Sequence, residues 1–243
     1  MTGLSYDPAR TTEVVRAVLQ EPYAMFIPAL LPIAKLLLAS AAVLPFLGTR
    51  WSGRFVVGYY AAILLVISFL QNMAATEQFG FVWLIGNTVV QLIVAFFCLV
   101  DVLAGSTTLH RDSLQRRRLW LLVPITLALL MPYSIDAGHV VASVETVLWN
   151  EAGVTYCMIT PVVLGVLLLF PSGVDRRALA VASFVGLIFG VINMAVWFVS
   201  SPQDWWMRVL HIPLVVTAGL GLIDSRYRPA VVNPNLAAAP TSR

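Results

Sequence analysis

The only lysine of this 243-residue chain, Lys35, sits in the middle of the apolar run 24–47. An ionised side chain in hydrocarbon costs at least ~2.5 kcal/mol, so Lys35 is expected to face a bundle interior or water, or to give up its proton. Gln91 is expected at similar depth, with Asn87 one turn outward on the same face. Two roles fit this lysine: handling a substrate or a proton, or acting as a structural cation hydrogen-bonded to neighbouring helices. A retinal Schiff base is disfavoured, because the lysine lies in the first apolar run and the last contains none.

Other polar side chains fall into groups. Asn72, Asn87, Gln91, Tyr156, Asn193 and Trp197 belong to the central and outer parts of apolar runs, and with Lys35 they would line an outward-facing polar pocket. Asp101 and Asp224 both lie at run ends on the cytoplasmic side, where carboxylates commonly meet loop arginines. Asp136, His139, Glu145, Glu151, Asp204 and His211 fall in outer loops or outer run ends, among Trp149, Trp205 and Trp206. Asp136, His139, Glu145 and His211 include suitable metal-ligand types, and Asp136 and His139 have i, i+3 spacing. No HExxH or clustered-histidine pattern accompanies them, and a solvated rim with an aromatic belt is the stronger expectation. G-x-S-x-G, Walker, Cys-x-x-Cys and Gly-rich dinucleotide motifs are absent, so an enzyme is not the leading reading, and no particular cofactor is implied.

The elements that must carry these groups follow from composition. Apolar residues make up 59% of the chain and charged ones 11%, and the mean hydropathy is +0.86, values far from a soluble domain. A hydrocarbon core of ~30 Å needs about 20 apolar residues in a helix. The sequence predicts an all-α, polytopic bundle of seven transmembrane helices at 24–47, 55–75, 81–104, 119–137, 154–170, 178–199 and 207–223. Arg50, Arg54, Arg111, Arg116, Arg117, Arg118, Arg176, Arg177, Arg226, Arg228 and Arg243 then share one side, against Arg10, Arg16 and Arg208 on the other. The positive-inside rule makes this N-out and C-in, in the plasma (inner) membrane, and the placement of arginine suits orientation better than nucleic-acid binding.

Three units are expected: an N-terminal interfacial segment, 1–22, the membrane domain, 23–225, and a disordered cytoplasmic tail, 226–243. Asp7, Arg10, Glu13, Arg16 and Glu21 argue against a cleavable signal peptide. Amphipathic patterns predict interfacial helices at 8–21, with Thr11, Val14, Val15 and Val18 on one face, and at 140–150, with Val140, Val141, Val144, Val147 and Leu148 on one face and Gly153 as the stop. Cys98 and Cys157 fall inside apolar runs near opposite faces, so they read as packing residues and not as a disulfide.

Asn72-Met73-Ala74 recurs as Asn193-Met194-Ala195, each before an outer loop leading to a tryptophan, Trp83 or Trp205. If the match marks a duplication, helices one to three and five to seven are parallel repeats joined by helix four. This 3+1+3 plan resembles that of small seven-helix carriers of the SWEET and PQ-loop type. The resemblance is architectural: Pro202-Gln203 falls in a loop, not within a helix. Three functions are carried forward. The first is a small-molecule carrier or ligand-binding membrane protein with that polar pocket. The second is a non-catalytic sensor or accessory subunit that meets a protein partner, or a homo-oligomer. The third is a membrane-embedded metalloenzyme. The lipid bilayer is the partner common to all three.

Overall fold

A computed structural model describes residues 13–15, 17–18, 22–23 and 29–227. Within the expected N-terminal segment, residues 13–15 and 17–18 are helical. The remainder of 8–21 and the tail from 228 lie outside the described residues, as does the start of the first apolar run at 24–28.

The chain is mostly helical. Helix α1 covers Leu30–Val43 and continues as a 3-10 turn to Leu47; α2 covers Ser52–Leu70, α3 Ile85–Ala104 and α4 Leu122–Leu130, the last entered through a 3-10 segment, Arg116–Leu121. Helices α5, Tyr156–Leu169, α6, Arg176–Ser200, and α7, Trp205–Tyr227, follow. Five segments are long and apolar enough to cross a membrane: Leu30–Leu47, Ser52–Leu70, Ile85–Ala104, Arg176–Val199 and Trp205–Arg226. Large apolar side chains such as Leu36, Phe96, Leu103 and Val191 point outward from them, which fits a bilayer and not water.

Every residue of α5 is buried. A helix that is apolar on all faces belongs in the middle of a bundle, and α5 packs against α1, α2, α4, α6 and α7. Its 14 residues rise only ~21 Å, less than the ~30 Å of hydrocarbon, so both ends stay inside protein and their backbone groups need partners there. At the N-terminus, Tyr156 N–H donates to Gln71 Oε1, 3.0 Å. At the C-terminus the Leu169 carbonyl accepts from Gln115 N–H, 2.9 Å, and that of Leu168 from Arg118, 3.3 Å.

Consecutive helices alternate in direction, since their ends gather into two groups. At one end, Thr108 N–H donates to the Gly173 carbonyl, 2.7 Å, and Arg118 grips Asp224 with two bonds, 2.5 and 3.0 Å. At the other, Trp206 Nε1 donates to the Pro132 carbonyl, 2.7 Å, and Val140 N–H to Asp204 Oδ1, 3.1 Å. Helices α6 and α7 cross closely over two glycines spaced by four, Gly186 and Gly190, in the manner of small-xxx-small membrane contacts. A Cβ on Gly190 would come within 2.8 Å of Val215.

Two β-hairpins correct the expectation of an all-α chain. Strands β1, Met73–Thr76, and β2, Gly80–Trp83, pair antiparallel, as do β3, Tyr133–Asp136, and β4, His139–Ala142. The second, third and fourth apolar runs therefore stop or start short of 75, 81 and 137. The helix expected at 140–150 is absent: residues 140–142 belong to β4 and 145–149 form turns. The physical reason is the two-residue turn Ala137-Gly138, with φ of 48° and 81°. Two successive left-handed residues close a hairpin whose twist matches its strands, and the β-branched pair Val140-Val141 suits a strand better than a helix. The repeated Asn-Met-Ala also separates structurally. Residues 73–74 lie in β1, whereas residues 193–195 lie inside α6, so the tripeptide does not mark equivalent positions.

Candidate functional site

Lys35 is 8% exposed. Its ammonium donates to the Leu130 carbonyl, 3.1 Å, to Asn150 Oδ1, 2.7 Å, and to the Val147 carbonyl. An ammonium has three donors, and protein acceptors occupy all three. Leu130 ends α4, so the cation also meets the negative end of that helix dipole. Asn150 completes the arrangement, its Nδ2 donating to the carbonyls of Leu130, 2.7 Å, and Met131, 3.0 Å. Glu151, next along the chain, lies within electrostatic range of the ammonium. Neither Gln91 nor Asn87 is a partner of Lys35, contrary to the depth argument, because Lys35 lies near the start of α1 and looks toward the loop after β4.

Beside this network the Tyr133 hydroxyl donates to the Glu151 carboxylate. Burial, and then the Glu151 charge, hold the Tyr133 phenol well above its ordinary range. A raised native value gives stability that is fully present below the unfolded-state pKa of ~10 and is lost as pH rises past it. The stability advantage of wild type over Tyr133→Phe is therefore expected to shrink above pH ~10, by up to ~1.4 kcal/mol per pH unit. Thermal unfolding of both proteins across alkaline pH checks this, and a gap independent of pH would contradict it.

Of the other expected pocket residues, Asn72, Gln91 and Asn193 have protein partners away from Lys35. Asn72 Nδ2 donates to Gln91 Oε1, 2.9 Å, and to the Ser68 carbonyl, 3.0 Å. Asn193 Nδ2 donates to Cys157 Sγ, 3.1 Å. Tyr156 is buried, its hydroxyl close to Tyr60 and Thr160 in the core. Trp197 is half-buried near the end of α6, and Asn87 is half-buried on α3. The structure brings Asn72 and Gln91 together and holds Lys35 elsewhere, so these residues form separate sets.

Of the residues considered for metal, His139 Nδ1 lies 3.3 Å from Asp204 Oδ1, and Asp136 pairs with His139 across the hairpin register. His211 is buried in α7 with Nδ1 2.6 Å from the Met207 carbonyl, and the Glu145 N–H bonds Ser143. Among the described residues no three His, Cys, Asp or Glu side chains converge as a metal site. Of the two carboxylates at the other end, Asp224 meets Arg118 as expected. Asp101 instead accepts from Thr107 N–H, 2.8 Å, and its hydroxyl, 2.5 Å.

What could hold a ligand is a lateral groove of about 770 Å³ between α3, α6 and the end of α7. Sequence reasoning missed it. Its floor is a ridge of α6 with four-residue spacing, Ala180, Phe184, Ile188 and Ile192, flanked by Val181, Val185 and Phe189. Gly86, Val90 and Ile93 of α3 form the facing wall, with Asn87 at that end and Ser225 and Arg226 at the α7 end. A Cβ on Gly86 would meet nothing within 4 Å, so this part of the wall borders open space. Phe184, Ile188 and Ile192 are exposed, so the groove opens sideways, toward the surroundings of the bundle.

Compared with known proteins, the chain matches no family model, no curated protein and no solved structure.

Proposed function

We propose that this chain is a seven-span protein of the plasma (inner) membrane, N-out and C-in, that binds an apolar or amphipathic small molecule in the lateral groove. The observation that carries the binding reading is the contrast between the two kinds of polar and apolar space. Lys35, Asn72 and Asn193 spend donors on protein acceptors, Gln91 among them as the acceptor for Asn72, whereas the groove between α3 and α6 has unfilled apolar volume. Mostly apolar walls with a few polar groups are the usual makeup of a small-molecule site. The seven-span reading rests on the alternating helix directions and on the arginine asymmetry; α5 is short but buried among its neighbours, and α4 is lengthened by the 3-10 segment Arg116–Leu121.

In reconstituted membranes, a long-chain alkyl diazirine is expected to label α6 between residues 180 and 192 in a saturable manner, competed by an unlabelled alkyl compound. Gly86→Trp, which fills open space, is expected to lower that labelling at least severalfold while leaving other outward-facing sites, such as Leu103, unchanged. Labelling that is neither saturable nor sensitive to Gly86→Trp would refute the reading.

An accessory-subunit reading has one observation in its favour. Ile135, Val144, Leu148 and Trp149 are 66 to 79% exposed on the hairpin and turns at the Lys35 end, more apolar surface than a loop needs. Crosslinking followed by purification tests it, and a single uncrosslinked species would count against it.

A further inference from the structure

We infer that the ligand of the groove is an anionic phospholipid from the leaflet on the arginine-rich side, with an acyl chain along α6 and its phosphate at Arg226. This rests on the groove reading above and adds the chemical class. The first argument is polarity along the groove. Its walls on α6 are wholly apolar from Ala180 to Ile192, and its charged group, Arg226, stands with Ser225 at one end. That order, tail space and then a cation with a hydroxyl, matches a molecule with a hydrocarbon chain and an anionic head.

The second argument is length. Residues 180–192 rise roughly 18 Å along the helix, close to the depth of one leaflet, half of a ~30 Å core. A chain lying there would run from the interface at Arg226 past mid-membrane to the Ile192 end of the groove, where Gly86 forms part of the facing wall. The third is charge. Arg226 is exposed, and its neighbour Asp224 is engaged by Arg118 in a two-bond pair, so the carboxylate is offset and the local balance stays positive. Arg118 and Arg177 belong to the same end of the bundle, and a basic membrane face attracts anionic lipid. The fourth is access: a groove open at the exposed side chains of Phe184 and Ile188 admits a molecule laterally, from the bilayer.

The test is native mass spectrometry of full-length protein in mild detergent, offered phosphatidylglycerol and phosphatidylcholine of the same chain length. Wild type is expected to retain phosphatidylglycerol about fivefold better, the effect of one interfacial cation, and Arg226→Gln to retain both equally. Gly86→Trp is expected to lose both. Equal retention of the two lipids by wild type, with both lost in Gly86→Trp, would overturn the headgroup assignment and leave the groove reading standing. A preference for phosphatidylglycerol that survives Arg226→Gln would also overturn the assignment, placing the recognised charge elsewhere. Retention indifferent to Gly86→Trp would overturn both. Arg226 is exposed and Gly86 borders open space, so neither variant disturbs the packed core.

Discussion

Lys35→Met is expected to destabilise the protein by about 3 kcal/mol, read as a fall of several degrees in its thermal midpoint in detergent. Methionine keeps much of the volume of the stem, so the loss comes from the ammonium. Its removal does not orphan all three acceptors. The Leu130 carbonyl keeps the Asn150 amide at 2.7 Å, and Asn150 Oδ1 keeps the Ala152 N–H at 3.2 Å. The Val147 carbonyl loses its charged donor, and the end of α4 loses the cation at its negative pole. One buried acceptor left unpaired costs about 1–3 kcal/mol, and a charge-assisted bond contributes about 1.5–3 kcal/mol, hence the value for the site. Lys35→Arg is expected to recover only part of it, because the planar fork needs more width than three converging acceptors leave. A methionine variant that unfolds with wild type would show that the network contributes little.

Much of the scaffold was legible in the sequence, because hydrocarbon permits few solutions: long apolar runs broken by arginine-bearing loops read as helices, and the five long spans fall where those runs are. The hairpins were not legible for a reason that shows at residues 140–148. Valines at 140, 141, 144 and 147 satisfy a helical period and also a short strand followed by turns. Only the backbone at Ala137, a non-glycine residue with φ of 48°, decides between them. Lys35 was recognisable as a buried cation, yet its partner Asn150 is 115 positions away, and no local pattern announces a pair at that separation. Asn72 and Gln91 were nearer to being readable, since an antiparallel turn between α2 and α3 brings the end of one beside the start of the other. The groove left a faint signal, the four-residue ridge from Ala180 to Ile192. An apolar stripe facing lipid and one facing a groove have the same composition, and only the walls that α3 and the end of α7 set beside the ridge distinguish them in space.

Gly153→Val is expected to have the largest effect of any single replacement at this end of the molecule. Gly153 closes a 3-10 turn, Glu151–Gly153, laid directly on α1. A Cβ at Gly153 would overlap the Ala34 carbonyl carbon and the Lys35 nitrogen and come within 2.9 Å of Ala34 Cβ. The first two are backbone atoms of a helix and cannot swing aside, so the turn must lift away. Overpacking of this kind costs about 1–3 kcal/mol where side chains can adjust, and a backbone obstacle places alanine at the upper end and valine beyond it. The turn also carries Asn150 at its start, so its displacement weakens the Lys35 network at the same moment. The two effects should then be less than additive: Gly153→Ala in a Lys35→Met background is expected to cost at least ~1 kcal/mol less than in wild type. Thermal midpoints of the four proteins in one detergent measure the coupling. Full additivity would mean that the close contact at Gly153 and the cation at Lys35 stabilise the fold independently, and that the turn does not serve to bring Asn150 to the lysine.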